Sequence, residues 1–235
     1  TGKAPAVTVV REDKNGTKAS ATYTPTVTPV TPTATSSEST DIQGATQTGK
    51  PEFKGGTVTV DGVEKTVAIN EDVPATFDDG STTKTVDGVG TYTVAADGTV
   101  TFVPEKSFVG TAPAVTVVRE DKNGTKASAT YTPTVTPVTP TATPAESTDI
   151  QGVTQTGKPV FTEGDSRVPM NDAVPATFDD GSTTKTVEGV GTYTVAADGT
   201  VTFVPEKSFT GTGTGVTVKR VDKNGTEITA KYTPT

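Results

Sequence analysis

Four acids stand in two pairs that chemistry could use, in Asp78-Asp79-Gly80 and Asp179-Asp180-Gly181. Paired carboxylates could ligate Ca²⁺ or imitate the two acids of a glycosidase. Adjacent strand residues point to opposite faces, however, and Asp-Asp-Gly-Ser is ordinary turn chemistry. These positions therefore read first as turns and second as calcium ligands. Asp121-Lys122-Asn123-Gly124 recurs at 13–16 and 222–225 and starts like a calcium loop. It lacks the third acidic position and the distal Glu, so it reads as a hairpin turn. Lys–Asn isopeptide cross-links need partners desolvated in a core. Asn15, Asn123 and Asn224 precede Gly, and Asn70 and Asn171 lie beside acids, all in turn-like settings. The Thr91/Thr93 and Thr99/Thr101 arrays could form a flat ice-binding face, but β-propensity already explains outward threonines. Five Tyr and no Trp leave little for sugars to stack on.

Composition removes most other chemistry. The chain has neither His nor Cys, which excludes disulfides, ordinary zinc sites and Ser-His-Asp or Cys-His catalysis. No enzyme activity and no cofactor are expected. A net charge of −8 argues against nucleic-acid or anionic-membrane binding, and no apolar run approaches membrane-spanning length. Leu is absent, whereas Thr (54) and Val (33) exceed a third of the 235 residues, a β-rich balance. Val, Ile and Phe together come to about 19%, so the cores should be small.

Self-comparison organises the chain. Residues 4–35 recur at 112–143, and Asp41-Ile42-Gln43-Gly44 recurs as Asp149-Ile150-Gln151-Gly152, both at an offset of 108. From Pro74/Pro175 onward the offset is 101, so seven residues are extra in the first copy, between Lys54 and Ala68. They surround Thr57–Val60, Asp61-Gly62 and Val63 and read as a lengthened hairpin. Thr24–Thr40 and Thr132–Thr148 are rich in Thr and Pro. Prolines remove ladder donors and favour polyproline II, so both segments read as linkers, about 13 residues reaching about 40 Å. The expected layout is 1–27, the closing strands of a preceding repeat; 28–40, linker; 41–132, β-sandwich repeat; 133–148, linker; and 149–235, β-sandwich repeat. The other phase, with a Thr/Pro segment inside each module, conflicts with the rarity of long structureless loops in compact domains.

Within a module, Thr91–Val94 and Val100–Phe102 alternate about Asp97-Gly98, and Val115–Arg119 pairs with Thr125–Tyr131 about Asn123-Gly124. Val115, Val117, Ala127, Ala129 and Tyr131 form the expected inward face. Six to eight short strands per module predict an all-β fold of tandem small β-sandwiches. Residues 1–27 alone cannot bury a hairpin face, so they should be mobile or add to a sheet edge of another molecule.

Gly-Thr-Tyr-Thr-Val at 90–94, Val-Thr-Phe-Val-Pro at 100–104, Gly-Val-Thr-Val-Lys-Arg-Val-Asp-Lys-Asn-Gly-Thr at 215–226 and Ala-Lys-Tyr-Thr-Pro-Thr at 230–235 resemble the CshA-type fibril repeats of cell-wall-anchored streptococcal adhesins. The resemblance covers both modules and the leading fragment. It implies a stalk of repeats, outside the cell, that holds an adhesive N-terminal region away from the wall. Fibronectin and other microbes would be bound by that region, which this sequence does not contain. The expected partners of the repeats are their neighbours in a monomeric chain. A second reading has the repeats themselves bind host matrix or associate between fibrils.

Overall fold

A computed structural model describes residues 1–235 and contains strands and turns without a helix. The leading segment holds β1 (Gly2–Lys3), β2 (Val7–Glu12), β3 (Lys18–Tyr23) and β4 (Thr26–Val27). β2 and β3 form a hairpin around the Asp-Lys-Asn-Gly turn, with Val7 opposite Tyr23, and β1 pairs β4. Every residue of β2 and β3 is exposed, because no second sheet faces them.

The first module comprises β5 (Thr33–Thr35), β6 (Ser37–Ile42), β7 (Gln47–Gly49), β8 (Glu52–Lys54), β9 (Gly56–Val60), β10 (Val63–Val67), β11 (Thr76–Phe77), β12 (Thr83–Val86), β13 (Gly90–Val94), β14 (Val100–Pro104), β15 (Gly110–Thr111), β16 (Val115–Glu120) and β17 (Lys126–Thr136). One sheet has the order β12-β13-β14-β7; in the other, β17 pairs β15 and β16 on one side and β6 on the opposite side. Period-2 alternation decides what the sandwich encloses. β13 turns Tyr92 and Val94 inward, β14 turns Val100 and Phe102, and β16 turns Val115 and Val117. Phe77, Tyr131 and Val135 join this buried cluster, and the Tyr92 and Phe102 rings lie 4.6 Å apart. The expected inward face holds, with Ala127 only half-buried.

The second module repeats this plan with β18 (Thr141–Thr143), β19 (Ala145–Ser147), β20 (Gln155–Gly157), β21 (Val160–Thr162), β22 (Thr177–Phe178), β23 (Thr184–Val187), β24 (Gly191–Val195), β25 (Val201–Pro205), β26 (Val216–Val221) and β27 (Glu227–Pro234). Its sheets are β20-β25-β24-β23 and β19-β27-β26-β22. The seven extra residues of the first copy build the β9–β10 hairpin, as their turn chemistry predicts. Asp61 (φ 51°) and Gly62 (φ 75°) supply the two positive φ values of a two-residue loop. The second module has a short bridged loop instead, from Asp165 to Val168.

The Thr/Pro-rich segments are not linkers. β5 pairs β8, β6 pairs β17 in parallel, β18 pairs β21 and β19 pairs β27 in parallel. Sandwich strands therefore begin at Thr33 and Thr141, inside segments 28–40 and 133–148. The prolines are tolerated for local reasons. Pro133 lies within β17 opposite the gap between β15 and β16, where no ladder donor is needed, and its carbonyl still accepts from Ala112 N (2.9 Å). Pro32 and Pro140 precede the three-residue strands β5 and β18 and are buried.

β2 and β16 share the sequence Val-Thr-Val-Val-Arg-Glu and the same pairing register, yet their burial is opposite. Val7, Val9 and Tyr23 are 58, 55 and 65% exposed, whereas Val115, Val117 and Tyr131 are 3, 0 and 0%. Amide hydrogen exchange reads this contrast directly. Protection in β16 should exceed that at the matching amides of β2 by about a thousand-fold or more, since β2 opens without global unfolding.

Candidate functional site

The two ends of each module meet side by side. β6 runs parallel to β17, from Ser37 opposite Tyr131 to Ile42 opposite Thr136, and Gln43 N adds a bond to Thr136 O (2.8 Å). β19 runs likewise along β27, and Thr235 N to Ser147 O (2.8 Å) and Asp149 N to Thr235 O (3.1 Å) extend that ladder. The second strand of each module, β6 or β19, is thus bonded directly to the strand that closes it.

A polar clasp sits in the middle of this pair. Ser39 Oγ donates to Gln47 Oε1 (2.6 Å) and lies 2.6 Å from Tyr131 Oη; with the serine proton already committed, the tyrosine donates. Gln47 Nε2 in turn donates to Thr134 O (3.0 Å). Gln47 belongs to β7 in the opposite sheet, so three side chains tie β6, the last strand and the facing sheet together. Ser147, Gln155 and Tyr232 repeat the arrangement, with Gln155 Nε2 donating to Thr235 O (3.0 Å). Gln47 and Tyr131 are buried, so each partner matters more than it would in water. The Tyr131 ring lies so close over Gly49 that a Cβ there would overlap it, and Tyr232 covers Gly157 in the same way. Burial pushes the Tyr131 and Tyr232 phenols up, with the serine hydrogen bonds opposing. In the same core, burial, with Tyr131 nearby, pushes Tyr92 up to about 12.

The paired acids lie elsewhere, on exposed turns. Asp79 Oδ1 accepts from Ser81 N (2.9 Å), and Lys84 Nζ stands 3.1 Å from Asp78 and 3.6 Å from Asp79. Lys185 Nζ stands 3.6 Å from Asp179 and 3.7 Å from Asp180. Serine hydrogen bonds first, and the lysines after them, hold Asp79 and Asp180 below the usual carboxylate range. Each pair therefore already shares an ammonium from its own module. Asp121 and Asp222 are fully buried, and Oδ1 of each accepts two amides of its own turn: Asn123 N and Thr125 N (2.9 Å each), and Asn224 N (2.9 Å) and Thr226 N (2.8 Å). Among the asparagines, Asn70 and Asn171 accept from amides two residues on, and Asn224 alone reaches another module, donating to Gln43 O (2.8 Å).

Sequence reasoning missed Ser39 and Gln47. Gln47 is buried and Ser39 half-buried, their polar atoms paired within the clasp, and no periodicity marks them.

The family described as the surface adhesin CshA repetitive domain matches residues 29–135 and 137–235, and both spans include the Thr/Pro segments. Repeat domain 13 of the fibrillar adhesin CshA from Streptococcus gordonii is 58% identical, over 30% of this chain and 90% of that one, with a TM-score of 0.18. The titin I9–I11 tandem is 10% identical over 91% of this chain and 70% of that one (TM-score 0.37). Mouse cadherin-23 EC22–24 is 12% identical over 97% and 72% (TM-score 0.33). None of these superpositions reaches 0.5, and the family match stands without them. No curated protein sequence matches the chain.

The clasp makes graded demands. Gln47→Ala strands the Ser39 proton and the Thr134 carbonyl and should cost about 2–4 kcal/mol, whereas Tyr131→Phe loses one bond and about 1 kcal/mol. Denaturant unfolding checks the order, with the unaltered second module as internal reference. The tyrosines add a pH test. A phenol raised on folding leaves stability intact below the unfolded value near 10 and erodes it as pH rises toward the folded one. Phenolate absorbance from Tyr92 should therefore appear only as the first module unfolds, at up to about pH 12.

Proposed function

The chain belongs to the repetitive-domain family of the surface adhesin CshA, and on that premise we propose that its modules are load-bearing stalk repeats of a bacterial surface fibril. They are non-enzymatic spacers outside the cell. A fibril built from them projects an adhesive N-terminal region from a cell wall, and host matrix is met by that region and not by the repeats. Each chain acts as a monomer whose partners are its own neighbouring repeats, and residues 1–27 are the closing strands of a preceding one.

The observation that carries this reading is the parallel pairing of β6 and β19, near the start of each module, with its last strand. Tension on a stalk pulls the start of β6 and the end of β17 in opposite directions. Two parallel neighbours pulled in that way slide past one another, so the ladder bonds and the clasp are strained together instead of one after another. Force that passes the three-residue β5–β8 pairing then reaches the next module through the β6–β17 pair. The Asp-Ser-Lys surface turns need no ligand for this role.

A second reading, self-association, is favoured by one feature, the exposed Val7, Val9 and Tyr23 face of the leading hairpin. It predicts concentration-dependent assembly.

Single-molecule extension from the chain ends separates the readings. The stalk role predicts two discrete unfolding events, each releasing about 100 residues or about 340 Å of extended chain before subtracting the folded length, with no event from residues 1–27. Smooth extension without events would contradict it, and so would saturable binding of fibronectin by this chain.

A further inference from the structure

The two modules also touch at one defined place. The Asp41-Ile42-Gln43-Gly44 segment closes β6 with a turn and stands at the pole where β17 ends. Arg167 Nη1 of the second module lies 2.8 Å from Asp41 Oδ1, and its Nε lies 3.3 Å from Asp165 in its own loop. Asn224 Nδ2 donates to Gln43 O (2.8 Å), and Asn224 Oδ1 presses on Gly44 so closely that a side chain there would collide with it. Lys106 Nζ reaches Lys223 O (3.4 Å) beside them. The connecting chain is held as well, since Val138 N donates to Gln43 Oε1 (3.3 Å) and Val138 is buried.

The same turn occurs once more, vacant, as Asp149-Ile150-Gln151-Gly152. Its internal bonds match those of the occupied copy. Ile150 N donates to Asp149 Oδ1 (2.8 Å), as Ile42 N does to Asp41 (2.7 Å). Gln151 Nε2 donates to Lys207 O and Gln43 Nε2 to Lys106 O, both at 2.8 Å. Gly152 and Gly44 have φ of 81° and 82°. What differs is coverage, for Ile150 is 75% exposed and nothing lies near Gly152. The shape is therefore built before any neighbour arrives.

We propose that this turn is a socket for the repeat that follows, and that its occupant is that repeat's Asp-Lys-Asn-Gly turn together with an arginine at the position of Arg167. The glycine admits the asparagine, the turn carbonyl accepts its amide, and the aspartate takes the guanidinium. The arginine is a variable part of the plug. The first module has no counterpart of the Asp165–Val168 loop that carries Arg167, because the longer β9–β10 hairpin stands in its place. Short-loop repeats thus clamp the repeat before them through an ion pair, whereas long-hairpin repeats keep only the asparagine contact. The order of short and long repeats would then set stiffness along a fibril, whatever that fibril holds at its tip.

The absence of cysteine makes the test clean. Spin labels at Thr93→Cys and Thr194→Cys, both exposed and one in each module, report the distance distribution across the junction in the full chain. The socket predicts a single narrow distribution that broadens by about two-fold or more in Arg167→Ala/Asn224→Ala, as for domains without a fixed interface. Circular dichroism should show both modules of that variant still folded. Asp41→Asn is the second variant: it keeps an acceptor for Ile42 N and loses only the ion pair, so it should broaden the distribution less. A broad distribution in the parent chain, or an equally narrow one in both variants, would overturn the proposal.

Discussion

Everything in a module depends on its last strand having a parallel partner from near its start. β17 enters the sandwich with one side bonded to β15 and β16, and β6 fills the other. Without β6 the closing strand would be a bare edge, open to any passing chain. With it, the module is closed by its own two ends, and the force path and the fold share one set of hydrogen bonds. Tyr131 shows how tightly these roles are joined. Its ring fills the core over Gly49, while its hydroxyl bonds the serine of the pairing strand.

The leading hairpin shows what the sandwich adds. Its turn and register equal those of β16 and β17, so local chemistry alone suffices to write the hairpin. The facing sheet supplies the burial, worth about 1.5–3 kcal/mol for each fully covered large apolar side chain. Few such side chains exist in this chain, and Val, Tyr and Phe at the inward positions carry nearly the whole core. The polar clasp matters more in so thin a core, because a lost partner there cannot be absorbed by surplus packing.

Much of this is legible in the sequence. Asp97-Gly98 and Asn123-Gly124 between alternating runs specify hairpins by backbone requirement, and the change of offset from 108 to 101 locates the β9–β10 insertion. Proline counted only as the loss of a donor makes the Thr/Pro segments read as linkers, whereas they hold paired strands. A donor is missed only where the ladder asks for one, and Pro133 falls at a break in the neighbouring strand. Ser39, Gln47 and Arg167 give no signal, and Asn224 reads only as a turn residue, since each gains its further meaning from a residue distant in sequence. The burial of Asp121 was equally hidden, though its role in the turn was plain.

The parallel pair is tested most directly by nuclear Overhauser contacts between residues 37–42 and 131–136 in the intact chain. The account predicts close backbone contacts at Ser39–Pro133 and Asp41–Val135, in that register. It predicts an equivalent set where Ala145 faces Tyr232. Narrow, motionally averaged resonances for 33–42 without contacts to β17 would restore the flexible linker and contradict the load path built on this pairing.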